Sequence, residues 1–216
     1  MKPINESVQH VMEEFGIIAE RLMLSNFDEY AKLVAKSYDE LPVLDQKAVP
    51  AWRALEQSTE TLFKRLSSKV KVEFVDDDPY KDAADMTAQV KQDKVLKIWS
   101  GEGEHPVWST EHNLRFRAVH DYLTHIIAGA PFGLRGELRA YSTHSKLVPA
   151  NAKPAIFTEV VGQICTTIVT GGFPTQKVAI MEGFDYDKIG SVEGHEVVNK
   201  QLVKQPSPGT NDASIS

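Results

Sequence analysis

Apolar residues recur along the first third of the chain in alternating steps of four and three. Ile4, Val8, Val11, Phe15, Ile18 and Leu22 draw one such seam, which predicts an opening helix. Ser25-Asn26 breaks it, and a shorter helix is expected from Phe27 to Tyr38. A third is expected from about Leu44 to Ser68, with Ala48, Trp52, Leu55, Leu62 and Leu66 on its apolar side. Pro50 falls in its first turn, where a missing N–H costs little. Seams this short suit a helical hairpin packed on its own domain better than a coiled coil, which sustains more heptads. A homo-oligomer joined through these helices is the rival expectation.

The period then drops to two. Val70, Val72 and Phe74 alternate with Lys71, Glu73 and Val75, predicting a strand near 70–75 that Asp76-Asp77-Asp78-Pro79 ends. A helix from Ala83 to Gln92 and a strand over 95–99 complete a small β-α-β unit. In the second half Ser109 or Thr110 caps a helix running to about Ala128, where Gly129 and Pro131 stop it. The next spans roughly Leu134 to Leu147, and another starts near Pro154 and ends at Gly171-Gly172. Beyond Ile189 the chain turns polar and reads as a tail over 191–216, disordered from about 205. The fold class is thus α+β, mainly α, with an N-terminal helical region over 1–68 and a helical core over 69–190.

Composition narrows the function. With 216 residues, 42% of them hydrophobic, the chain can bury one ordinary core. A net charge of -6 argues against a nucleic-acid partner, which would select a basic face. No apolar run is long enough to span a membrane and the N-terminus has no signal-peptide core, so no membrane partner is expected. The single cysteine, Cys165, leaves no disulfide framework and no thiolate zinc site. These features together suit a cytoplasmic location.

The candidate chemistry lies in residues 112–163. At about 100° per residue, the helix ending near Ala128 puts Phe116, Val119, Leu123, Ile126 and Ile127 on its apolar stripe. Arg117, Asp121 and His125 fall opposite, with His120 at the boundary, and Asp121 and His125 are one turn apart. Glu137 and His144 share a face of the next helix. On the third, Phe157, Val161, Ile164 and Ile168 form the stripe, and Glu159 is the only formally charged residue between Ala155 and Gln176. That helix reads as buried on all sides, and a lone buried carboxylate needs a cationic partner or a metal. His120, Asp121, His125, Glu137, His144 and Glu159 are therefore the candidate ligands. Imidazole and carboxylate donors without thiolate suit a divalent Fe, Mn or Zn ion.

His120-Asp121 on a helix resembles the doublet of the HD-domain phosphohydrolases, a helical, metal-dependent family that also uses an earlier His and a later Asp. Here His105 and His112 precede the doublet, and no Asp follows until Asp185. A broader stretch resembles a set of uncharacterised tailed-bacteriophage proteins. It comprises the run from Phe116 to His125, then Gly136-Glu137, His144, and the run from Ala155 to Gln163. That resemblance covers about 70–185 and implies a phage origin, hence a host cytoplasm or a virion, with no activity attached.

The expected function is a metal-dependent hydrolase acting on a small or phosphorylated substrate. The metal polarises a phosphoryl or acyl oxygen, Glu159 or Glu137 serves as base, and Arg117 completes the catalytic set. The alternative is a non-enzymatic virion or host-interaction protein in which the same residues form a buried structural network.

Overall fold

The helices and strands order themselves along the chain in a computed structural model that describes residues 6–17, 22–101 and 104–206. Helix α1 (Glu6–Phe15) ends at Gly16, whose φ of +69° only glycine adopts readily. Its seam turns toward its own chain: Phe15 is buried, and the Arg65 guanidinium lies 4.2 Å over the Phe15 ring. Of the expected seam, Ile4 and Ile18 lie outside the described residues, as does the side chain of Val8.

Helix α2 (Asp28–Asp39) buries Tyr30, Val34 and Tyr38. Helix α3 (Val49–Leu66) begins later than the sequence suggests. Residues 43–45 instead run beside Val178, which donates to the Val43 carbonyl (2.8 Å) and accepts from Asp45 N–H (2.7 Å). A backbone already paired across the fold cannot also close a helical turn.

Strands β1 (Lys71–Val75) and β2 (Val95–Trp99) pair in parallel, Lys71 opposite Val95, with α4 (Ala83–Asp93) as the crossover. Asp82 caps α4 by accepting from the N–H groups of Ala84 and Asp85. The expected β-α-β unit is present, and the fold is α+β and mainly helical.

Two apolar clusters hold the molecule, and both cross residue 69. The first gathers Tyr30, Trp52, Leu55, Leu138, Tyr141 and Phe157. The second gathers Leu62, Leu66, Met86, Leu96, Val119 and Leu123. Helix α5 (Thr110–His120) runs between them, giving Phe116 to the first and Leu114, Ala118 and Val119 to the second. Helix α6 (Leu134–His144) stops one turn earlier than expected.

The helix expected from Pro154 changes pitch twice. It begins as α7 (Lys153–Ile156), widens to a π-helix over Phe157–Gly162 and returns to α pitch in α8 (Gln163–Thr170). It is not buried on all sides. Its last turn runs past its neighbours and leaves Ile168 and Val169 about half exposed.

The polar tail is corrected too. His195–Val198 and Gln201–Lys204 form an antiparallel hairpin, β3 and β4, around Asn199-Lys200. Both turn residues have positive φ (49° and 62°), the mark of a two-residue hairpin turn. Val197 and Leu202 pack on the first cluster, and Lys200's carbonyl accepts from Ser25. The expectation for 207–216 lies outside the described residues.

Candidate metal centre

Helix α5 does not end at His120. It continues as a π-helix through Asp121–Ile127, closed by the Ala128 N–H donating to Leu123 O, five residues back (3.2 Å). At α pitch, residues five apart diverge by about 140°. At π pitch they come onto one face, and this is how His120 joins His125. One ligand atom each from His120, Asp121 and His125 lies within 4.8 Å of the others. Gly129, at φ +69°, then turns the chain so that Ala130 O meets the His125 ring.

That contact fixes a proton. His125 Nδ1–H donates to Ala130 O at 2.8 Å, which turns Nε2 toward Glu137 Oε1 at 3.3 Å. A ring with an acceptor at each nitrogen carries two protons. Burial opposes that charge, yet the hydrogen bond and charge of Glu137, with Asp121 and the Ala130 carbonyl, hold the His125 pKa up at about 9. For Glu137, burial alone would raise the carboxyl, but bonds from His120 and His125 and their charges bring it down to about 2.

The second Glu137 oxygen meets His120 Nε2 at 3.2 Å, and His120 Nδ1 lies 3.4 Å from His144 Nδ1. Burial, reinforced by the His120 charge, keeps His144 well below the ordinary imidazole range. His144 is therefore a neutral partner for the far side of His120. Asp121 is half-buried. Desolvation pushes its carboxyl up, with the Glu137 charge adding and His125, His120 and Arg117 opposing.

A cavity of about 290 Å³ opens onto this cluster. Its lining includes Arg117, His120 and Asp121 from α5 and its continuation, and Glu159 from the π-helical stretch after α7. Arg117 sits at its wall with Nη1 donating to Gly101 O (2.7 Å) and Trp99 O (3.3 Å). Glu137, His125 and His144 stand away from this cavity.

The sequence candidates therefore fall into two groups. His120, Asp121, His125 and Glu137 form one network, extended to His144 through His120. Glu159 takes a different partner, His105, whose Nε2 lies 3.5 Å from Glu159 Oε2 with both side chains buried. His105 Nδ1 accepts from the N–H groups of Val107 (3.2 Å) and Trp108 (3.1 Å), so its proton sits on Nε2 and points at the carboxylate. The ring also stacks on Trp108, centroids 4.3 Å apart. Helical periodicity could not find His105, because it precedes Pro106 in a loop. Its one sequence signal was its closeness to the doublet. His112 points elsewhere, to Glu60 at 2.9 Å.

What this arrangement offers is a charged imidazole, a second imidazole and two carboxylates that share protons a divalent ion can replace. Comparisons with protein-family models, curated proteins and solved structures give no match, so the identity of the centre is argued from its own geometry.

Proposed function

We propose that the chain is a metal-dependent hydrolase in which His120, Asp121, His125 and Glu137 hold one divalent ion of the Fe, Mn or Zn type. The observation that carries this reading is the convergence of His120, Asp121 and His125 within 4.8 Å. Ligand atoms about 2.1 Å from a common ion lie at most about 4.2 Å apart, so only small side-chain adjustments are required. The bond from His125 Nδ1–H to Ala130 O supports the reading further, since it presents Nε2 as the ligand atom. Bound there, the ion would act as a Lewis acid and lower the pKa of water.

The protein's own groups have separate roles in this proposal. Glu159, across the cavity, takes the proton from the attacking water, while His105 keeps its carboxylate in place. Arg117 donates to the substrate's oxygen from the cavity wall. Glu137 supplies a second carboxylate to the ion and neutralises its charge.

Elemental analysis of protein purified without chelator tests this reading, with about one ion per chain expected. EDTA should lower the melting temperature and Mn, Fe or Zn should restore it. His125→Ala should abolish that response, and Glu159→Gln should keep it while reducing metal-dependent hydrolysis of p-nitrophenyl acetate or phosphate by roughly a hundredfold or more.

A second reading has its own support: Glu137 already uses both oxygens on the two imidazoles, as a structural network would. On that reading the chain is a virion or host-interaction protein. It would purify free of metal and give no thermal response to any of these ions.

A further inference from the structure

The cavity beside the candidate centre has a second polar wall that no metal requires. Gln163 Nε2, Thr167 Oγ1 and Gln176 Oε1 are all buried atoms without a hydrogen-bond partner, and all three residues line this one cavity. Gln163 and Gln176 are each more than nine-tenths buried. A buried polar group left unpaired is costly, so several facing one space call for something to fill it. Trp99, Phe116 and Phe173 add aromatic faces to the lining.

The donors and acceptors define the occupant. Gln163 offers an N–H and needs an acceptor, whereas Gln176 offers a carbonyl and needs a donor. One planar –C(=O)–NH– edge supplies both. A flat body suits the aromatic rings, which prefer stacked or edge-on partners. A volume of about 290 Å³ corresponds to roughly ten water volumes of about 30 Å³ each, enough for a small bicyclic molecule and too little for a folded chain. Charge excludes the other obvious class at this end. The Glu159 carboxylate that lines it repels an anion.

We propose that the cavity is a recognition site for a small, uncharged, planar molecule carrying an amide –C(=O)–NH– edge. Its carbonyl is held by Gln163 and Thr167, and its N–H by Gln176. As a binding site this stands without the ion. As the substrate class it rests on the hydrolase reading.

The probe is 2-quinolone, which has one lactam edge on a flat bicycle. Titration is followed by ligand-observed NMR on the full chain in EDTA. Binding of 2-quinolone is expected to be at least tenfold tighter than binding of N-methyl-2-quinolone, which lacks the N–H, or naphthalene, which lacks both groups. Inorganic phosphate should not compete.

Gln163→Met and Gln176→Met should each weaken 2-quinolone at least tenfold. They should melt at or above the wild-type temperature, because they remove an unpaired polar group. Thr167→Val serves as the milder variant should either fail to fold, and is expected to weaken binding severalfold. Equal binding of the three probes, competition by phosphate, or folded variants that bind as wild type would each overturn the proposal. Amide recognition in EDTA without any thermal response to metal would keep this inference and discard the hydrolase. Metal binding without amide recognition would do the reverse.

Discussion

Glu137 sits between two imidazoles, and the protons it shares set how metal-free stability depends on pH. The His125 pKa is raised to about 9, so the stability it contributes is whole below its unfolded value of 6.5 and is lost as pH climbs through about 9. The Glu137 pKa is lowered to about 2, so its contribution is whole above 4.5 and is lost as pH falls toward that value. Urea unfolding in EDTA should therefore give a plateau between pH 4.5 and 6.5 with declines on both sides. Glu137→Gln should lower the plateau by roughly 2 kcal/mol and flatten the alkaline decline. An alkaline limb equally steep in the variant would show that His125 draws its proton affinity from elsewhere. The residue scale also shows what periodicity can read. His120, Asp121, His125, Glu137 and His144 were found because each lies on a helix at a countable spacing. His105 was missed because a loop residue has no spacing to count.

Two of the three elements that carry the site widen to π pitch where they meet it, over Asp121–Ile127 and Phe157–Gly162. Counting at 100° per residue put His120 at a boundary, and the wider pitch moved it into the centre. Sequence reading could locate these helices by their caps and glycines, but a π turn has no such punctuation. The hairpin of β3 and β4 was overlooked for a different reason. Its polar residues outweighed the short apolar pairs Val197-Val198 and Leu202-Val203, which show no period-two alternation, and Asn199-Lys200 was not read as a turn. One close approach fixes how α6 meets the end of the π-helix. A Cβ on Gly136 would stand 1.6 Å from the Pro131 carbonyl oxygen, a backbone atom that cannot step aside. Gly136→Ala should accordingly cost about 2 kcal/mol or more. It should also weaken any metal response, because Glu137 and the Ala130 carbonyl flank that contact. A melting temperature within two degrees of wild type, roughly 0.5 kcal/mol for a domain of this size, would show that α6 can slide.

At the scale of the whole molecule the C-terminal hairpin acts as a buttress for the first apolar cluster. Removing residues 195–216 takes away the packing of Val197 and Leu202 on that cluster and the hydrogen bonds from Ser25 to Lys200, and should lower the melting temperature by several degrees. An unchanged temperature would mean the hairpin is ornamental to stability. Helix α5 has a different place, since it belongs to both clusters at once. Neither cluster can open without releasing it, so its central amides can exchange with solvent only when the entire chain unfolds. Deuterium uptake at residues 114–123 should then be the slowest in the protein and should match the global unfolding free energy. An ion or ligand held at His120 and Asp121 would fasten the same helix. It would slow exchange in both clusters together, including at Leu55 and Leu96, which the site does not touch.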